Sequence, residues 1–349
     1  MNTSIKTCRT YSRKGIMASI FAIALSLLAG SCSENEITET AKSQLRIEVG
    51  TTDSRVSYDA LHSTFDEDDL IGCVIADISN GSPVYKSVST WKYKSGILML
   101  QDDGTASWES EKKWLTTDAE GYLTLKNSEI KYAFYFFYPV YNTSNIVLPG
   151  QDENSSSYWK KYTASIETNQ DSKENMNKSD FLWIKYDKGI SASDASQKPI
   201  SLVFKKEFAT IEIDAETELQ NVSFIKEEKG ILKAKSADLS TGELSDITYN
   251  SWDTNKPVYN EGVTPYKFDN EGKQYRLSIP PQDIYGLHLK FTFSPYDNSQ
   301  DIDLNLSEKL QTVEGGKIYY IKINKSGDTS IVIKDWENGK YSILEEDQE

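Results

Sequence analysis

The sequence predicts an all-β protein, built as two antiparallel β-sandwiches in tandem. No segment sustains a 3.6-residue apolar period for more than about two turns. Short apolar or alternating runs recur between turn residues instead, as in sandwiches. The chain is also rich in aromatics, with 21 Tyr, 12 Phe and 7 Trp, and such rings pack well on pleated surfaces. A length of 349 residues suits two domains of roughly 100–200 residues each.

The elements follow in chain order. Residues 44–50 (QLRIEVG) alternate, placing Leu45, Ile47 and Val49 on one face. The run 70–78 reads as a buried strand, 122–125 as a short one, and 129–140 as a dense aromatic strand closed by Pro139. Residues 181–186 (FLWIKY) form another. The polar stretch 187–199, with Gly189, three serines and Pro199, reads as an interdomain linker. Strands are then expected at 200–204, 208–214, 221–225, 275–279, 287–293, 302–306, 317–323 and 330–336. Asn338-Gly339 separates the runs 330–337 and 340–344, a type I′ hairpin signal, and an acidic tail, 345–349, follows. The division is therefore 44–186, a linker 187–199, and 200–349 with its terminal hairpin.

The first 43 residues are set apart. Lys6, Arg9, Arg13 and Lys14 precede an uncharged stretch, 16–30, that is too short for a membrane span and suits a signal core. Ala29, Gly30 and Ser31 lead into Cys32. This resembles a bacterial lipoprotein signal, 1–31, with Ala29 where leucine is usual. The resemblance implies that Cys32 is diacylated and anchors the chain to the outer membrane through a tether, 32–43. An ordinary secretory signal cut near Ser31 is the alternative. Ser33, Glu34, Asn35 and Glu36 resemble the acidic surface-export signal of some Gram-negative lipoproteins, or form a plain solvated tether.

Charge and cysteine content narrow the function. The net charge is −15, and loss of the four basic signal residues makes it more negative still, so nucleic acid is not an expected partner. Of three cysteines, Cys8 leaves with the signal, Cys32 carries lipid, and Cys73 in an apolar run is expected as a buried small hydrophobe. An exported fold without an intrachain disulfide must be held by its core.

No catalytic, cofactor or metal site is expected, and an enzyme is not. G-x-S-x-G, H-E-x-x-H, C-x-x-C and P-loop patterns are absent, and there are only two histidines. His288 sits in the alternating run LHLKFTF, where a sheet position is expected. The acidic run 66–69 lacks the EF-hand pattern and reads as a solvated loop. Asp301, Asp303 and Asn305 have calcium-like spacing, but Ile302, Leu304 and Leu306 between them argue for a strand with one wet face. The tryptophans offer sugar-stacking platforms, although core burial is the expectation for aromatics in a sandwich.

Several segments taken in order resemble the fimbrillin (Mfa-like) family of type V pilus subunits. The strand ending in a serine-arginine step matches residues 45–55. Asp69-Leu70-Ile71-Gly72 matches a D-x-I-G element, and Phe137-Tyr138-Pro139 a Y-Y-P strand with Phe137 for the first tyrosine. Gln170 with Asp180-Phe181-Leu182-Trp183 resembles a Q…D-L-L-x-A element, and residues 202–213 a strand pair with Lys206 where histidine is favoured. Ile279-Pro280-Pro281-Gln282, the G-G-K-x-Y-x-I-x-I run 315–323 and a terminal I-x-x-W, 333–336, complete the series.

The resemblance implies two transthyretin-like sandwiches and a lipid-anchored precursor on the cell surface. An arginine-specific protease would cut it after Arg55, and it would then polymerise with copies of itself or related subunits by strand exchange. The mature chain holds three arginines. Arg46 lies inside a strand, whereas Arg55 lies in the polar stretch 51–57, expected as an exposed loop. Cleavage would release Leu45, Ile47 and Val49 from a groove. Ile331 and Ile333, or Tyr341 and Ile343, from another subunit would refill it. A monomeric surface lipoprotein that binds glycan or a host protein is the alternative function.

Overall fold

Alternation and aromatic density become two main sheets. The computed structural model describes residues 44–49, 65–100, 115–117, 123–125, 129–140, 161–195, 199–226, 230–247, 259–260, 262–293, 301–335 and 341–344. The first sheet has eight strands in the order β11 (Ile200–Leu202), β2 (Ile47–Val49), β5 (Ile97–Leu100), β4 (Val84–Lys94), β3 (Leu70–Asp77), β8 (Tyr132–Tyr138), β10 (Leu182–Ile190), β12 (Lys205–Lys206). A small sheet, β1 (Gln44–Leu45), β7 (Leu123–Leu125), β6 (Leu115–Thr117), accompanies it.

The second half holds a six-stranded sheet: β20 (Tyr266–Lys267), β21 (Gln274–Ile279), β13 (Ala209–Ala215), β26 (Lys317–Ile323), β27 (Thr329–Asp335), β28 (Tyr341–Leu344). A four-stranded sheet, β19 (Gly262–Val263), β14 (Leu219–Lys226), β23 (Leu287–Phe293), β24 (Asp301–Asn305), shares its core. Shorter pairings complete the chain: β17 (Leu244–Ser245) with β16 (Ala234–Asp238) and β9 (Lys161–Ser165), β15 (Ile231–Leu232) with β18 (Tyr259–Asn260), and β22 (Gln282–Asp283) with β25 (Thr312–Val313). Among the described residues the α-helices are short, α1 (Lys173–Lys178) and α2 (Ala192–Ala195).

The strand β8 shows why so many rings run together. Every one of its residues is buried, because it lies mid-sheet with packing on both faces. Phe134 and Phe136 enter one core cluster with Ile71, Cys73, Trp91 and Leu98. Tyr135 and Phe137 point the other way, into a cluster that continues through the second half to Ile211, Leu277 and Ile321. Trp183 of β10 joins that second cluster and donates its indole N–H to the Leu239 carbonyl at 2.8 Å. The strand β9 also crosses over, pairing with β16.

The stretch 187–199, expected as a linker, differs from that reading. Asp187 to Ile190 complete β10, Ala192–Ala195 form α2, and β11 and β12 beyond them still belong to the first sheet. A register shift between Tyr186 and Ile190, with Gly189 at φ 75°, interrupts the alternation. A bulge of this kind carries the glycine and polar residues of a loop without leaving the sheet.

The hairpin β4–β5 was not expected. Its turn is Ser95-Gly96, both with positive φ (49° and 87°), the backbone of a two-residue hairpin loop that matches strand twist. Asp301–Asn305 is strand, as expected, and its wet face pairs Asp303 with His288 at 2.6 Å and Lys290 at 3.0 Å. The acidic run 66–69 pairs Asp66 with Lys173 at 2.7 Å and Asp68 with Lys92 at 2.7 Å.

Within that run Asp69 faces inward, accepting from the Asp66 backbone N–H at 2.8 Å and the Tyr138 hydroxyl at 3.4 Å. Burial, opposed by those hydrogen bonds, pushes its carboxyl up to about 6. The folded state therefore holds a proton more tightly than the unfolded chain, whose carboxyl titrates near the ordinary value of about 3.9. Stability should rise as pH falls from about 6 toward that value, and the ionised form should cost roughly 1–2 kcal/mol at neutral pH after discounting for partial exposure. Asp69→Asn should remove this slope from a plot of urea midpoint against pH. An unchanged slope would mean that another group sets it.

Candidate strand-exchange site

The N-terminal segment is woven into two sheets, Gln44–Leu45 into the small one and Ile47–Val49 into the first. Leu45 and Ile47 are 0% and 1% exposed, and Val49 is half-buried against the same cluster. Arg46 and Glu48 alternate outward and form an ion pair at 3.0 Å. Alternation thus places Leu45 and Ile47 inward and Arg46 and Glu48 outward.

The backbone surroundings of β2 are less expected. It is an interior strand, with β5 on one side and β11 on the other. Toward β11 the pairing is parallel, Ile200↔Ile47, Ser201↔Glu48 and Leu202↔Val49, and the Ile200 N–H donates to the Arg46 carbonyl at 2.8 Å. Toward β5 it is antiparallel, Glu48↔Ile97, and the Val49 N–H donates to the Gly96 carbonyl at 2.8 Å. Removing β2 would leave a slot walled by two strand edges, floored by apolar side chains.

The C-terminal hairpin has the opposite character. Among the described residues β28 is the outermost strand of its sheet and pairs antiparallel with β27 alone, from Ile331↔Leu344 to Lys334↔Tyr341. β27 sits one position inward, with Ile331 at 2% exposure and Ile333 half-buried. Tyr341 and Ile343 lie two residues apart on β28. Peeling off β28 breaks one ladder, whereas peeling off β27 also strips the cover from β26.

The expected site residues thus fall into separate groups. Ile47 and Val49 lie in the first sheet, and Leu45, on β1 of the small sheet, packs in the same cluster; Ile331, Ile333, Tyr341 and Ile343 lie together in the six-stranded sheet. Cys32 and Arg55 lie outside the described residues. Arg46 and Arg276, the other arginines beyond residue 31, are both engaged. Arg46 accepts through its backbone in the ladder to β11, and Arg276 is buried with Glu212 at 2.6 Å. The slot's second wall, residues 200–202, escaped the sequence reading as a site because its parallel partner lies far away in the chain.

Among the described residues the chain is all-β, with β2, near one end of the chain, an interior strand and β28, near the other, an outer one. The chain belongs to the fimbrillin-like family, whose model matches residues 54–336. No curated protein matches the sequence. Among solved structures, a proposed cell adhesion protein from Bacteroides ovatus is similar at 17% identity and a TM-score of 0.54, over 87% of this chain and 99% of that one. A second proposed cell adhesion protein, from Bacteroides uniformis, is similar at 14% identity and a TM-score of 0.53, over 84% of this chain and 98% of that one. At these identities the likeness is one of fold.

Proposed function

We propose that the chain is the lipid-anchored surface precursor of a fimbrial subunit, which polymerises by strand exchange once cut at Arg55. The observation that carries the reading is the interior position of β2 between β5 and β11. A strand held there can leave only if the chain after it is cut, and its departure exposes two ladders at once.

Cleavage after Arg55 would free residues 44–55 and empty the slot. Re-exposing pockets filled by Leu45 and Ile47 costs roughly 1.5–3 kcal/mol each, and unpaired N–H and C=O groups add to it. β28 of another subunit, with Tyr341 and Ile343 as the filling pair, would restore both terms. Donor and acceptor lie on different sheets of one chain, so the contact is heterologous and need not close, which gives a filament. The partners are further copies or related subunits, an arginine-specific protease, and the outer membrane through lipid on Cys32.

Purified precursor treated with an arginine-specific protease should give ladders on a denaturing gel. A monomeric adhesin would keep β2 in place and stay a single band. The anchor is tested separately: labelled palmitate should enter the wild-type protein and not the Cys32→Ala variant. Label that persists in the variant would refute lipidation at Cys32.

A further inference from the structure

A buried polar cluster that strand exchange does not use lies at the β10–β12 edge of the first sheet. Lys206 of β12 contacts Oδ1 of Asp180 through its Nζ, and the two side chains are 0% and 1% exposed. Asp180 lies two residues before Leu182, the partner of Lys206 in the β10–β12 ladder, so the pair is a diagonal cross-strand neighbour. The Glu207 N–H donates to the Phe181 carbonyl at 2.9 Å and pins the two segments at this point. Phe181 and Phe208, both fully buried, lie next to it with ring centroids 5.8 Å apart.

The two oxygens of Asp180 are unlike. Oδ1 also accepts from the Phe181 N–H at 3.0 Å and from the Ser278 hydroxyl at 3.3 Å. Oδ2 is buried and has no hydrogen-bond partner among the described residues. Ser278 is itself held by Gln170, which accepts its N–H and donates to its carbonyl, each at 2.9 Å. An ion pair in such a place is costly unless its remaining lone pairs are satisfied, and here one oxygen is not.

We propose that Lys206 and Asp180 condense to an intramolecular amide, a covalent cross-link between β12 and the entry to β10. Transfer of one proton from Nζ to Oδ2 gives amine and carboxylic acid. The Nζ lone pair then attacks Cγ, forming the N–C bond and moving an electron pair to Oδ1. There the Phe181 N–H and the Ser278 O–H stabilise the developing charge. A second proton passes from Nζ to Oδ2, the Cγ–Oδ2 bond breaks, and Oδ2 departs as water while the carbonyl re-forms at Oδ1. The ammonium and carboxylate yield one amide N–H, one carbonyl and one water, with no oxidant or co-reactant.

Three features favour the step. Burial pushes the Lys206 ammonium below its ordinary range despite the opposing pull of Asp180, so the nucleophilic amine is more accessible than in water. The two groups are held in contact, which replaces a bimolecular encounter by an intramolecular one. The product removes two buried charges together with the unpartnered oxygen. Cys73 is a free, buried thiol, so this amide would be a covalent tie where no disulfide is described.

Tryptic mapping of the full chain tests the proposal. Condensation blocks cleavage after Lys206, so residues 179–185 and 206–226 should appear as one branched peptide, lighter than their sum by one water. Asp180→Ala should abolish that peptide whether or not the variant folds. Separate linear peptides 179–185 and 207–226 from the wild-type protein would overturn the proposal.

Discussion

Arg55→Ala is expected to yield a folded monomer that does not assemble. Arg55 lies outside the described residues, in a polar stretch expected as an exposed loop, so the substitution should leave Leu45 and Ile47 in their pockets. Nothing in the folded core should change, so thermal midpoints of variant and wild-type precursor should agree within about a degree, as for a surface change worth less than ~0.5 kcal/mol. What changes is the route to an empty slot. With the chain after β2 intact, the slot opens only by local unfolding of β2. That costs the burial of two side chains, roughly 3–6 kcal/mol, and both ladders besides. At about 1.4 kcal/mol per tenfold, an opening of that cost alone reduces the competent population by a factor of at least ~100. Deleting residues 338–349 should stop assembly from the other side, by removing the donor and leaving the acceptor intact. Equal mixtures of the two defective proteins, each treated with protease, should form dimers at most when one arm supplies a slot and the other a donor. Polymers that grow normally from Arg55→Ala protein would show that this cut is not the trigger.

Gly72→Val should be the most destabilising single change in the first sheet. Gly72 sits opposite Phe137 in the β3–β8 register, and a Cβ built there would lie 2.1 Å from Phe137 Cζ. Its backbone needs no left-handed conformation, so the requirement is for space alone: the outer carbons of the Phe137 ring occupy the place of the missing side chain. Phe137 is fully buried and lies tilted against Tyr162 at 4.7 Å between centroids, in the cluster that joins the first sheet to the second half. It has nowhere to move without displacing that cluster. Overpacking at such a site costs about 3 kcal/mol or more. Gly81→Ala provides the contrast. It has open space around it and φ 82°, so its cost is conformational only, about 1 kcal/mol. Urea midpoints of the two variants should differ in that order. A Gly72→Val protein as stable as wild type would mean that the ring does not occupy the space above the glycine.

Much of this architecture is legible in the residues themselves. The aromatic run in β8 and the alternation in β23 and β26 carry their strand character locally, because burial on one or two faces dictates which positions are apolar. Leu45 and Ile47 are legible as inward residues for the same reason. What faces β2 is not, since residues 200–202 approach from far along the chain and in parallel register, for which no turn signal exists. The end of β10 is hidden by its bulge at Gly189, which mimics a linker. The Asp180–Lys206 pair lies in two segments whose hydrophobic residues dominate the pattern, so the buried charges are visible only when the strands are placed side by side. Which hairpin strand can be donated also depends on sheet order. Ile331 and Ile343 look alike in sequence, but β27 is an inner strand and β28 an outer one.

The central claim is that assembly requires loss of β2 through a cut at Arg55. The most direct test is N-terminal sequencing of the subunits within isolated polymers. Chains that begin at Val56 are the predicted result. Polymers built from subunits that retain Leu45, Ile47 and Val49 would contradict the account.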